Sequence, residues 1–97
     1  MLSGKQRSYL RGLANTINPV IQLGKEGITD GVIKQVDEVL EARELIKLTI
    51  LRNSVLDPRE ACDELCQATG SEPVQVIGNR FVIYRKSKDK PQIELPR

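Results

Sequence analysis

The chain has 97 residues, and its 15 basic and 13 acidic side chains give a net charge of +2. This size allows one compact domain, whose core must be aliphatic because the chain has no tryptophan, one phenylalanine and two tyrosines. No apolar run reaches the length of a membrane span, and Lys5 and Arg7 interrupt any secretory signal, so we expect a cytoplasmic protein.

The first predicted element is a helix over Ser3–Asn15, because apolar residues recur there at spacings of three and four. Arg7 and Arg11 lie one turn apart, beside the apolar face rather than within it. An Asn-Pro pair ends this segment. The apolar stretch Val20–Leu23 that follows predicts a short buried strand.

The loop Gly24-Lys25-Glu26-Gly27 joins this strand to a second helical pattern. Glycines at both ends let the backbone approach another backbone, and the start of the helix offers unpaired N–H groups and a positive dipole. Such a loop suits a phosphate chain, although two glycines three apart also make ordinary connections. Glu26 opposes the phosphate hypothesis, because a carboxylate repels a polyanion. It could point outward, pair with Lys25 or Lys5, or weaken the contact.

The second helix is predicted to start near Ile28, with Thr29 or Asp30 as its cap. One side of this helix is strongly acidic, which predicts an acidic surface formed by Asp37, Glu38, Glu41 and Glu44. The alternation of apolar and polar residues over positions 45–51 then predicts a strand with one covered face.

The third helix has the clearest start signal in the chain. Asp57 is the predicted N-cap, Pro58 takes the first helical position, and a glutamate follows three residues after the cap, as in a capping box. Gly70 is the predicted stop. Cys62 and Cys66 lie one turn apart on this helix. Because the chain has no histidine and no other cysteine, we interpret them as small buried residues and expect no disulfide, metal site or cofactor.

Two final strands are predicted at Pro73–Ile77 and Phe81–Arg85, joined by a Gly-Asn turn that suits an antiparallel hairpin. The order α-β-α-β-α-β-β predicts an α/β fold, a single compact domain with a small mixed sheet covered by helices. We expect the domain to span residues 1–86. Residues 87–97 are predicted to form a polar tail, two apolar residues of which could dock back.

Charge is segregated along the chain. Residues 1–25 carry four basic side chains and no acid, residues 78–97 carry six against two, and residues 26–77 carry five against eleven. If the two ends meet in space, the domain has a basic and an acidic face, and a polyanion partner is favoured over merely solubilising termini. The basic candidates for such a surface are Lys5, Arg7, Arg11, Lys25, Arg80, Arg85 and Lys86.

Enzymatic chemistry is poorly supported. Without histidine, neither a Ser–His nor a Cys–His nucleophilic pair can form, and no Gly-x-x-x-x-Gly-Lys loop is present. The carboxylate pairs Asp37/Glu41 and Glu60/Glu64 read as solvated helix faces. We therefore expect a protein that is not an enzyme.

Four motifs cover nearly the whole chain in a fixed order: KQRSYLRGLA at 5–14, NPVIQLGKEGIT at 18–29, ELIK at 44–47 and VQVIGNRFVIYR at 74–85. Together they resemble the CRM domain family (chloroplast RNA splicing and ribosome maturation), in its stand-alone bacterial YhbY-like form. The resemblance implies an α/β fold related to the C-terminal domain of a bacterial translation initiation factor. It also implies RNA binding, with bacterial members associated with precursors of the large ribosomal subunit, and it assigns the RNA contact to a KH-like Gly-x-x-Gly loop, here Gly24–Gly27.

We thus expect an RNA-binding protein that contacts the rRNA backbone during assembly of the large ribosomal subunit, as a monomer that could also meet ribosomal proteins. The few aromatic residues favour recognition of RNA shape over reading of bases. The alternative is a protein–protein adaptor that holds a basic ribosomal protein through the acidic helix of residues 30–44. Convergence of Arg7, Arg11, Lys25 and Arg80 around the loop would favour RNA, whereas an apolar patch on the acidic helix would favour the adaptor.

Overall fold

The elements follow one another in the order that the sequence predicts, and every predicted end lies within two residues of the observed one. The computed structural model describes residues 1–97. Its elements are α1 (Gly4–Ala14), β1 (Pro19–Leu23), α2 (Asp30–Arg43), β2 (Leu45–Ile50), α3 (Pro58–Thr69), β3 (Glu72–Ile77) and β4 (Arg80–Tyr84). None of the three helices is both long enough and apolar enough to span a bilayer.

Side-chain caps set the helix starts. In α1, Ser3 and Gln6 form a full capping box, each side chain accepting the other's backbone N–H at 3.1 Å. Thr29 caps α2. Asp57 accepts the Glu60 N–H at 3.1 Å at the start of α3, but only this half of the predicted capping box forms.

The sheet has the strand order β1-β2-β4-β3, with β1 parallel to β2 and the other neighbours antiparallel. The ends of β1 and β2, the start of β4 and the β3–β4 turn therefore lie along one edge, which we call the loop end. Two backbone bonds tie this edge together: the Leu51 N–H donates to the Leu23 carbonyl at 2.9 Å, and the Ile50 N–H to the Asn79 carbonyl at 2.7 Å.

The helices cover both faces of the sheet. α2 and α3 pack on one face over a core of 13 buried residues that includes the two free cysteines, Cys62 and Cys66, as predicted. α1 packs on the other face over a smaller core of seven buried residues. Tyr84 belongs to this second core, with only 5% of its surface exposed. The α1 core lies toward the end of the sheet away from the loop end, because Leu45 and Tyr84 pair there.

The C-terminal segment, residues 87–97, is polar as predicted, but it is packed onto the domain rather than free. Ile93 and Leu95 lie against the α1 core. The side-chain amide of Gln6 donates to the Pro96 carbonyl at 3.0 Å. The segment therefore belongs to the same folded unit as the rest of the chain.

Glu44, predicted to lie on the acidic surface, is instead fully buried beneath this segment. Its φ of 68° is uncommon for a residue other than glycine. Its carboxylate accepts the backbone N–H groups of Ser87 at 2.8 Å, Gln92 at 2.6 Å and Ile93 at 2.7 Å. Burial by itself raises the pKa of Glu44, but these three donors outweigh it and the pKa falls below its ordinary value.

Candidate nucleic-acid interface

The Gly24–Gly27 loop is a tight turn at the loop end of the sheet. The Gly27 N–H donates to the Gly24 carbonyl at 3.1 Å, which leaves Lys25 and Glu26 exposed at the corners. Only Gly27 needs to be glycine for conformational reasons, since its φ is +73°. A Cβ atom at Gly24 would lie 3.9 Å from the nearest side-chain atom, an ordinary contact. The small size of Gly24 therefore leaves room for an outside partner and is not required by the fold.

The loop's own side-chain charges do not attract a polyanion. Glu26 makes no ion pair, so the predicted alternative of pairing with Lys25 or Lys5 is wrong. Asp30 adds a second carboxylate at the first position of α2. Against the single Lys25, the local sum is −1. Attraction to RNA must therefore come from backbone N–H groups and from cations on neighbouring elements.

Two cations meet the loop from neighbouring elements at the loop end. Arg80 stands opposite Thr49, which is itself paired with Gln22 of β1, so Arg80 lies about 10 Å from β1 across two strand spacings. Arg52 follows β2 in the connection that packs beside the loop through Leu51. Both arginines are exposed, and neither forms an ion pair.

The basic residues of α1 form a stripe that leads toward this edge. Arg7, Arg11 and Asn15 are spaced by four residues and so share one side of the helix. The Arg7 Nε donates to the Pro73 carbonyl at 3.4 Å, far from the loop end. At the other end of the stripe, Asn15 lines a cavity with Arg80. The structure thus brings Arg11 near the loop end and leaves Arg7 only at its margin.

Three other predicted site residues lie elsewhere. Lys5 is exposed in the first turn of α1, at the end of the helix away from the cavity. Lys86 follows the far end of β4, about 17 Å of extended strand away from Arg80. Arg85 is occupied: its guanidinium, only 16% exposed, pairs with Asp37 and lies 3.9 Å from Glu41.

Arg85 is therefore a structural cation rather than an interface residue. Its guanidinium also donates to the Thr69 carbonyl at 2.8 Å and to the Asp37 carbonyl at 3.0 Å. These contacts join α2, α3 and β4 on the side of the molecule that faces away from α1. The prediction that Arg85 contacts RNA does not agree with this environment, and Asp37 and Glu41 are correspondingly less free than a solvated helix face would be.

The sequence interpretation missed Lys47 and Arg52. Lys47 lies in β2 on the α1 side of the sheet, where the predicted alternation of residues 45–51 already placed a polar face. Arg52 could have been found only with the sheet order, because its nearness to the Gly24–Gly27 loop follows from the parallel pairing of β1 with β2. Among the aromatic residues only Tyr9, 43% exposed, is available for stacking.

Comparison with known proteins supports the family resemblance. The family model of the CRS1 / YhbY (CRM) domain matches residues 2–85. The chain is 47% identical to the probable RNA-binding protein YqeI of Bacillus subtilis over 96 residues, which cover 99% of this chain and 100% of the relative. It is 36% identical to an RNA-binding protein of Haemophilus influenzae, with 99% and 96% covered.

A solved structure confirms the fold. The solution structure of the hypothetical protein SAV1595 from Staphylococcus aureus superposes with a TM-score of 0.82 at 54% identity, and the match covers 99% of this chain and 100% of that one. The predicted α/β class is therefore correct. The two sequence relatives have the names of RNA-binding proteins, in agreement with the expectation that the chain is not an enzyme.

Proposed function

We propose that this chain, which belongs to the CRS1 / YhbY (CRM) domain family, binds RNA at the loop end of its sheet. The observation that carries the proposal is the meeting of Lys25, Arg52 and Arg80 from three separate connections along one edge. None of the three is neutralised by an ion pair. Backbone N–H groups at the start of α2 add donors beside them.

The proposed contact is mainly with the phosphate backbone. Cations on flexible side chains and backbone N–H groups recognise phosphate oxygens without reading the sequence. Release of counterions then makes the affinity depend on salt, with a slope of log K against log salt of about −3 to −4 for four phosphate contacts. Lys25, Arg52, Arg80 and Arg11 would supply those four.

The protein–protein adaptor is less well supported, because the acidic helix is largely satisfied within the protein. Asp37 and Glu41 pair with Arg85. Glu44 is buried beneath the C-terminal segment. No large apolar side chain is exposed on α2, so the patch that would favour an adaptor is not there.

We further propose rRNA in precursors of the large ribosomal subunit as the target, in the cytoplasm, with the chain acting as a monomer that can adjoin ribosomal proteins. The family resemblance supports this target, and the resemblance covers nearly the whole chain. Structured rRNA offers closely spaced phosphates to an edge that presents four cations.

Crosslinking in cells, followed by sequencing of the attached RNA, tests the proposal. We expect enrichment of large-subunit rRNA over total cellular RNA, and the enrichment should fall in a Lys25→Glu, Arg80→Ala double variant. Arg85→Lys, which keeps a cation at a site remote from the edge, is the matched control. Recovery of no RNA above background would refute RNA binding, and recovery of RNA other than rRNA would refute only the target.

A further inference from the structure

α1 ends before it has covered the whole of its sheet face. The residues of that face nearest the loop end form one cross-strand row, Gln22, Thr49, Arg80 and Ile77, and each is exposed or half-buried. In contrast, the pairs beneath α1 at the far end of the sheet are buried. The uncovered part of the face lies directly beside the edge that we propose binds RNA.

A cavity of about 160 Å³ lies in this uncovered part, between the last residue of the α1 stripe and strands β2, β3 and β4. Val82 and Ile77 supply apolar surface. Four polar side chains surround it, two cations and two amides: Lys47, Arg80, Asn15 and Gln75. No acidic residue lines the cavity.

The four polar groups are neighbours through the pairing of the strands. Lys47 stands opposite Val82, and Val82 opposite Gln75, in one row across the sheet. Arg80 lies in the next row, and Asn15 closes the cavity from the helix side. None of the four side chains makes a hydrogen bond or ion pair within the protein, whereas Asn79 close by donates to the Ile50 carbonyl at 2.9 Å.

The volume limits what can enter. At ~30 Å³ for each water molecule, the cavity holds about five waters, and it is smaller than the ~300 Å³ at which pockets for drug-sized ligands begin. A single flat ring fits, and a stretch of oligonucleotide does not. Apolar surface on one side suits the face of such a ring, and unpaired amides suit its polar edge.

We propose that this cavity receives one unpaired base of the bound RNA. The amides of Asn15 and Gln75 contact the edge of the base, while Lys47 and Arg80 contact its flanking phosphates. Sequence-specific recognition of RNA uses such splayed-out, unpaired bases. Adenine is the best candidate, because an asparagine or glutamine amide matches the adjacent donor and acceptor of its N6 and N7 edge.

This inference rests on the proposed function and deepens it. The expectation that the protein recognises only RNA shape came from the shortage of aromatic residues. The cavity provides an alternative to stacking, because it uses an apolar wall and two amides. The interface would then combine a backbone-reading edge with one base-reading position.

Equilibrium binding to eight-nucleotide RNAs of A, C or U, and to a large-subunit rRNA fragment, tests the inference at fixed salt. We expect the protein to prefer the A octamer. The double variant Asn15→Ala, Gln75→Ala should lose about tenfold in affinity for it, since a good amide–base pair discriminates by ~1–3 kcal/mol. The salt slope should not change, because no charge is removed.

The matched control is Gln22→Ala, which removes an exposed glutamine from the same sheet face outside the cavity and should bind like the wild type. A second measurement follows the backbone amide signals of Asn15, Lys47, Gln75 and Val82 by NMR on addition of adenosine 5′-monophosphate. We expect these signals to move, and to move little with inorganic phosphate.

Several outcomes would overturn the base-reading site while leaving RNA binding intact. They are equal affinity of the wild type for the three octamers, wild-type affinity of the double variant, and equal NMR shifts with inorganic phosphate. In each case Lys25→Glu would still weaken binding to the rRNA fragment. If the double variant instead lost a bound ribosomal protein and kept its RNA affinity, a protein would be the occupant and the inference would be wrong. Failure of the wild type to bind any of the RNAs would refute the proposed function itself.

Discussion

Replacing Glu44 by glutamine should destabilise the fold far more than its place at the end of an acidic helix suggests. The carboxylate accepts three backbone N–H groups at 2.6–2.8 Å in a fully buried position. A glutamine keeps the shape, but it can accept with only one of its two terminal atoms. We therefore expect the oxygen to keep Gln92 and Ile93, and the amide nitrogen to face the Ser87 N–H.

The magnitude follows from these contacts. Hydrogen bonds to a charged group contribute ~1.5–3 kcal/mol and neutral ones ~1 kcal/mol, so the two retained bonds lose about 1 kcal/mol each. The third bond is lost, at about 2 kcal/mol, and the relief from burying a charge returns about 1 kcal/mol. The free energy of unfolding should fall by about 3 kcal/mol, which is about 2 M in the urea midpoint for a slope near ~1.5 kcal/mol/M.

Urea unfolding followed by circular dichroism measures this loss. Glu38→Gln is the matched control, because Glu38 lies on the same helix, is exposed and has no partner. It should stay within ~0.5 kcal/mol of the wild type. If Glu44→Gln behaved like Glu38→Gln, the three donors would not be stabilising the fold and the reasoning would be refuted.

The same carboxylate makes stability depend on pH in a definite direction. The pKa of Glu44 is lower in the folded protein than its ordinary value of 4.5. Its contribution is therefore present above that value and is lost as the pH falls through the folded pKa. The difference in urea midpoint between the wild type and Glu44→Gln should be largest near neutral pH and should shrink below about pH 4.

The remaining predictions concern the C-terminal segment and the interface. A chain that ends at Arg85 removes all three N–H donors, so it should lose at least ~3 kcal/mol, and in that background Glu44→Gln should no longer destabilise. In filter binding, Lys25→Glu should weaken binding of large-subunit rRNA fragments and Glu26→Lys should tighten it, and no change in either would remove the loop from the interface. Gly24→Ala should unfold like the wild type yet bind RNA more weakly, and unchanged binding would show that RNA does not approach this backbone. Arg80→Ala should reduce the salt slope by about 1 without loss of stability, whereas Arg85→Ala should do the reverse.

Local signals allowed the fold to be predicted from the sequence with few errors. Periodicity and capping depend on residues within one or two turns, so Asp57 and Gly70 bound α3 as expected. The capping box of Ser3 and Gln6 was also within reach, since its spacing is visible in the sequence. The hairpin turn was predictable for the same reason: Gly78, with a φ of +57°, supplies the backbone that the turn needs.

The errors concern side chains whose environment is set by distant parts of the chain. Glu44 has the helical spacing of a surface residue, and only the docking of a segment more than 40 residues later buries it. Arg85 continues a basic run in the sequence, yet the packing of β4 against α2 gives it two carboxylate partners. Arg52 became a site residue because β1 and β2 are neighbours, which periodicity does not reveal. Contacts of long range decided all three.

Both ends of the chain lie on the side of the molecule away from the proposed interface. The N-terminal ammonium of Met1 lies 3.1 Å from Glu72, at the start of β3, and Pro96 is bound by Gln6 in the first turn of α1. A short linker can therefore join the end of one copy to the start of the next while each loop end stays open. Two copies tethered in this way would meet neighbouring sites on one RNA at a raised effective concentration, so a tandem chain should bind long RNA far more tightly than it binds a fragment that holds a single site.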